Sequence, residues 1–150
     1  MLNVEDILLK AGYIKKGDKG GWIEKESNLS QTDYAWVYGN ALVFGNAQVY
    51  GKAKVYGDAS VDMSAQVFDN AWVFGNSTVY DKAQVFGKAG VAGVAHVHGK
   101  AQVSDKAKVL GNALVYGGTK VSGNAMVYDN AAVSDDAKVF DDAKVFDDAK

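Results

Sequence analysis

From Val37 to Lys150 the chain repeats one six-residue pattern of apolar and polar positions, without insertion or deletion. Valine recurs at every sixth position from Val37 through Val145, 19 times in 19 places. Alanine follows each valine by four residues in 17 of the 19 units, with Ser77 and Thr119 as the exceptions. Strand side chains alternate between faces, so an alanine and the valine two residues after it point to the same side. Two residues after each valine comes Gly (11 times) or Asp (7 times), with Met63 the lone outlier. Gly or Asp followed by Asn, Lys or Asp is turn chemistry, since Gly and Asn tolerate left-handed backbone angles. A six-residue period matches neither a helix face nor a hairpin array. Each unit therefore predicts one short strand and one corner. Stacked units predict a parallel β-solenoid with Val and Ala inside.

The polar positions set the size of a coil. Gln48, Gln66, Gln84 and Gln102 are spaced by 18 residues. Three units per coil stack them into a glutamine ladder at a strand spacing of about 4.8 Å. The prediction is a triangular coil of about 18 residues, with 19 units making six coils and one extra strand.

Residues 1–36 lack the repeat and read as an N-terminal cap, and residues 37–150 as the solenoid. A stack of coils needs an atypical end unit to cover its core and its backbone donors. Asn3 is placed to cap a short helix with Asp6 three residues on, and Val4, Ile7, Leu8 and Ala11 give that helix an apolar side. Gly12 ends it. Tyr13-Ile14 and Trp22-Ile23-Glu24 read as two short strands around a turn from Lys16 to Gly21.

The array resembles the hexapeptide-repeat, left-handed β-helix proteins. The leader narrows the resemblance. Gly20-Gly21-Trp22-Ile23-Glu24, Asn28-Leu29-Ser30 and Trp36-Val37-Tyr38-Gly39-Asn40-Ala41 are similar to a bacterial and prophage-type β-solenoid group often labelled as transferases. The resemblance covers about residues 12–150. It implies left-handed coiling, which periodicity alone does not. The expected fold class is all-β, a left-handed parallel β-helix with a short N-terminal helix and hairpin cap.

With Val and Ala inward, the residues before and after each valine sort into three outward faces. The first carries Leu42/Phe44, Ser60/Asp62, Thr78/Tyr80, His96/His98, Leu114/Tyr116 and Ala132/Ser134. The second carries the glutamines. The third carries Trp36/Tyr38, Lys54/Tyr56, Trp72/Phe74, Gly90/Ala92, Lys108/Leu110, Met126/Tyr128 and Lys144/Phe146. The residue after valine is aromatic in 12 of 19 units. Stacked rings shield the corners of a thin Val/Ala core. An exposed aromatic face also suits a partner. The first face is the most interface-like, because its twelve residues include one formal charge, Asp62, and interface cores are depleted of charge. The expected partner-binding residues are Leu42, Phe44, Tyr80, His96, His98, Leu114 and Tyr116.

Composition narrows the chemistry. There is no Cys, so no disulfide or thiolate metal site is available. All 16 basic residues are lysines and the net charge is -2, with no basic patch. That argues against nucleic acid, which favours Arg for phosphate and guanine contacts. No signal peptide or long apolar run is present, so no membrane partner and a cytoplasmic setting are expected. His96 and His98, the only histidines, show no acidic or thiol ligand spaced beside them, so no metal site is expected. Asp135/Asp136, Asp141/Asp142 and Asp147/Asp148 fall at three different corners and do not converge on a calcium ion. Threonines are too few for an ice-binding row, and no phosphate loop is present.

Left-handed β-helix proteins include trimeric acyltransferases with a histidine base in a subunit cleft. That role extends to His96 or His98 by residue type only, since no surrounding motif matches and no loop interrupts the repeat. The leading expectation is a non-catalytic binding or scaffold protein acting through protein–protein contacts, without cofactor. A phage-encoded inhibitor of a host enzyme or defence system is one form of it. The alternative is a hexapeptide-repeat acyltransferase-like enzyme with a site at a subunit interface. The apolar faces also suit a homo-oligomer, dimer or trimer.

Overall fold

The computed structural model describes residues 1–4 and 20–150. Over them the chain is an all-β parallel solenoid of seven stacked coils. Every strand from Trp36–Val37 to Lys144–Val145 is two residues long, a valine and the residue before it. The strands stack into three sheets whose registers advance by 18 residues, as in Gln48↔Gln66 and Val49↔Val67. The glutamine ladder forms: the Gln84 amide donates to Gln66 at 2.9 Å, and the Gln102 amide to Gln84 at 2.9 Å.

Main-chain bonds run from each coil to the next. The Gln66 N–H donates to the Ala83 carbonyl at 2.9 Å and the Phe68 N–H to Val85 at 3.0 Å. The ladder continues through the corners, where the Asn70 N–H donates to Gly87 at 2.8 Å. The core is a column of valines and alanines, fully buried over most of its length. The two departures from alanine are satisfied locally. The Ser77 hydroxyl donates to the Phe74 carbonyl at 2.8 Å, and the Thr119 hydroxyl to Tyr116 at 2.6 Å. Buried polar groups need such partners.

The corners explain why Gly and Asp share one position. All 19 residues two after a valine have positive φ, Met63 at 56° and Asp69 at 58° among them. At Gly87 (φ +68) a Cβ would also lie 2.9 Å from the Asp105 backbone nitrogen, one coil on. Asp earns its place by a second contact. The Asp69 carboxylate accepts the Gly87 N–H at 3.1 Å, Asp81 accepts Gly99 at 3.0 Å, and Asp105 accepts Gly123 at 3.0 Å.

The sheets reach into the leader. Trp22–Ile23 pairs in parallel with Leu42–Val43, and Leu29 bridges to Val49. Ile23 and Leu29, both essentially fully buried, take the inward positions that valine holds elsewhere. The extra strand at Trp36–Val37 thus completes a coil that the leader begins. This coil spans 20 residues where the others span 18, as the registers Ile23↔Val43 and Val37↔Val55 show. The added length lies between Leu29 and Ala35. There Asp33 accepts the Ser30 hydroxyl at 3.0 Å and the Gly51 N–H at 3.1 Å. Asn28 is completely buried. Its amide donates to the Ala47 carbonyl at 2.8 Å, and its oxygen accepts the Lys25 N–H at 2.8 Å. Gly21 is needed for close approach, since a Cβ there would meet the Ala41 oxygen at 2.8 Å.

Trp22–Ile23 is the expected strand, but its antiparallel partner among the described residues is Leu2–Asn3. The helix expected over Val4–Ala11, the strand at Tyr13–Ile14 and most of the turn from Lys16 to Gly21 lie outside the described residues. Val4 itself is fully buried.

Two substitutions check the corner argument by urea denaturation. Gly87→Ala forces a left-handed alanine against the next coil and lowers stability by about 1–3 kcal/mol. Asp69→Asn keeps both the left-handed preference and an acceptor, and costs no more than about 1 kcal/mol.

Candidate functional site

The first sheet and the corner after it carry the expected partner-binding residues. Val79, Val97 and Val115 are inward and in register, so Tyr80, His98 and Tyr116 leave the strands at the same point in successive coils. Their rings stack nearly parallel. Tyr80 and His98 centroids are 4.6 Å apart at 7°, and His98 and Tyr116 are 5.2 Å apart at 6°. Offset-parallel aromatic pairs add about 0.5–1.5 kcal/mol each beyond area burial. His96 lies on the strand, between Thr78 and Leu114 in the ladder.

Leu42 and Phe44 stand apart from this group. Leu42 pairs with Ser60, and Ser60 with Thr78, so two coils separate Leu42 from Thr78. In the corner column Asp62 stands between Phe44 and Tyr80. The seven residues therefore form two patches on one face, a stacked one around His98 and a separate one at Leu42 and Phe44. Leu42 is exposed, and the other six are half-buried.

Asp62 is the anomaly of the column. It occupies an aromatic position, and its Oδ1 is buried without a hydrogen-bond partner. Burial raises its carboxyl above the ordinary carboxylate range, and the neighbouring Asp81 raises it further. The Tyr80 phenol is also raised, first by burial and then by Asp81 and Asp62.

An acidic neighbour of the histidines does exist, contrary to the reading of the spacing. Asp81 Oδ2 lies 3.6 Å from His98 Nδ1. The left-handed backbone at Asp81 (φ 61°) directs its carboxylate to the next coil, where it accepts the Gly99 N–H at 3.0 Å. His98 is the residue before Gly99, so the same carboxylate reaches its ring. The contact is an ion pair only when His98 is protonated. With the side chains 24% and 39% exposed, it contributes about 0–1 kcal/mol. The signal for it lies in the sequence, because an Asp followed 18 residues later by Gly also recurs at Asp69/Gly87 and Asp105/Gly123. Among the described residues no group of three His, Asp or Glu side chains could hold a metal ion.

Comparison with known families agrees with this architecture. A model of the YdcK beta solenoid repeat matches three segments, residues 35–51, 65–81 and 120–135. Each contains the Ala-x-Val strand and the left-handed corner described above. The chain is a β-solenoid repeat protein. The matched segments sum to about a third of the chain and lie near the start, middle and end of the solenoid. No curated protein matches the solenoid. Among the described residues no helix is long and apolar enough to cross a membrane.

The Asp62 environment fixes the direction of one pH effect. Its folded pKa is raised above the unfolded value. The stability tied to its neutral form is present below the ordinary Asp pKa and is lost as pH rises through the folded pKa. Asp62→Asn removes that loss. Denaturation midpoints for the two proteins will be closer at pH 4 than at pH 7, where the variant is the more stable.

Proposed function

We propose that this β-solenoid is a non-catalytic binding protein that engages a protein partner, or a second copy of itself, through its first face. The observation that supports this most is the Tyr80–His98–Tyr116 stack. Three rings are held parallel by backbone register, with their edges available at the surface. A partner meeting such a surface orders little, and rigid aromatic groups supply contact area at low entropic cost. His96 and Leu114 extend the patch along the strand, while Leu42 and Phe44 provide a second point of contact. The similarity of the leader to prophage-type solenoids favours a host enzyme or defence protein as the partner.

One observation favours the acyltransferase-like reading as an alternative. His98 with Asp81 3.6 Å from its Nδ1 resembles a base and its orienting carboxylate. A neighbouring subunit would have to complete the cleft.

Sedimentation velocity of the wild type and Tyr116→Lys tests the leading reading. The variant places a charge at the centre of the patch, and either self-association is lost or a partner retained from a host lysate is no longer retained. If mass and retained proteins are both unchanged, the first face is not the interface. Calorimetry with acetyl-CoA tests the alternative, and saturable binding that is lost in His98→Ala reverses the ranking.

A further inference from the structure

The third sheet holds a notch that neither reading uses. Of the 19 residues that precede a repeat valine, Val37 through Val145, only Gly90 is a glycine. Its strand conformation does not demand one. A Cβ at Gly90 would meet nothing within 4 Å, and its φ is not positive. Glycine in a strand gives up side-chain packing and loses more chain entropy on folding than any other residue. Every glycine two residues after a repeat valine is explained by its corner. Gly90 is not explained by the fold.

The missing side chain leaves a notch of about 260 Å³ between successive rungs of the ladder. Gly90 and Ala89 form its floor, Trp72 and Phe74 one wall, and Leu110 and Lys108 the other, with Lys88 beside them. The aromatic wall is fixed. Phe74 stacks on Tyr56 at 4.8 Å and 1°, Tyr56 meets the Trp72 ring edge-on at 6.2 Å, and Lys54 Nζ sits 5.2 Å from that ring. Trp72 is nonetheless 45% exposed. Lys88 and Lys108 are exposed. The one ion pair among the described residues is His98 with Asp81, so neither ammonium meets a carboxylate.

We infer that this notch is an anchor site for one aromatic side chain from an acidic segment of a partner protein. The ring stacks against Trp72 and Phe74 in the place that a ladder side chain holds in other coils. The flanking carboxylates of the segment meet Lys88 and Lys108. The volume holds one ring and is below the roughly 300–1,000 Å³ of sites for drug-sized ligands. A pocket that takes one aromatic anchor is the usual centre of a protein interface. The charge of the notch selects an acidic partner, and a net charge of -2 for the chain disfavours a nucleic-acid strand. The site lies on a different face from Tyr116, so it stands independently of the first-face reading.

The test is a titration of the full-length ¹⁵N-labelled protein with the capped peptide Asp-Asp-Phe-Asp-Asp, monitored by amide and indole shifts. The expected result is saturable shifts at Gly90, Lys108 and the Trp72 indole. The peptide Asp-Asp-Ala-Asp-Asp should shift them by less than a fifth as much. Lys88→Glu with Lys108→Glu should weaken binding by about tenfold or more. Gly90→Gln restores the ladder side chain, so its melting temperature should equal or exceed that of the wild type while binding is lost. The inference is overturned if the alanine peptide does as well as the phenylalanine one, if Gly90→Gln still binds, or if the shifts centre elsewhere. Tighter binding of an oligothymidylate at the same residues also overturns it, in favour of a nucleic-acid strand.

Discussion

Backbone hydrogen bonding between successive coils is the constraint on which everything else in this molecule depends. A two-residue strand is too short to hold a sheet by itself. It persists because N–H groups on one coil meet carbonyls on the next, around the corners as well as along the strands. That requires coils of equal length and corners of equal shape. The left-handed residue after each strand follows from the second requirement. The 18-residue spacing follows from the first. Where the leader departs from that length, added polar contacts absorb the difference. Asn28 bonds the next coil inside the core, and Asp33 ties the longer segment to Gly51.

The same constraint governs how charge is placed. One corner column reads Gly51, Asp69, Gly87, Asp105, Gly123, Asp141. The alternation has two causes. A carboxylate in the left-handed position bonds the N–H of the residue above, and a glycine there leaves room for it. Aspartates in successive coils stack like charges at about 4.8 Å, as Asp129 and Asp147 do in another corner column, whereas alternation here moves them to roughly twice that spacing. Asp33 extends the series into the leader with the same bond to Gly51. The corner thus has a 36-residue period laid over the 18-residue coil.

The sequence made the inward positions and coil size legible because both are strictly periodic. Nineteen valines and a glutamine ladder leave little freedom. The first coil was harder to see, since Ile23 and Leu29 stand in for its valines, eight residues rather than six separate Leu29 from Val37, and Asn28 contributes through a buried side chain with no counterpart in the repeat. The Asp81–His98 contact escaped for a different reason. It depends on where a left-handed aspartate aims its carboxylate, which strand alternation does not describe. The stacked site around His98 was legible as a column. Its break at Asp62 was visible as a change of residue type, but not as a buried carboxyl oxygen without a partner.

A repeat this regular makes departures informative, provided that compensated ones are set aside. Ser77 and Thr119 replace alanine, yet each hydroxyl finds a carbonyl three residues back, so the fold alone accounts for them. Asp62 and Gly90 differ. Asp62 puts a carboxyl into an aromatic column and leaves one oxygen buried and unpartnered. Gly90 removes a ladder side chain where nothing obstructs one. Neither change helps the isolated chain, since the first carries a desolvation cost and the second forgoes packing. Natural sequences tend to depart from local consistency at functional sites. These two departures lie on different faces, one beside the His98 stack and one beside Trp72. On that argument, contact with other molecules is to be sought at these two places rather than along the regular ladders, whose side chains already satisfy one another.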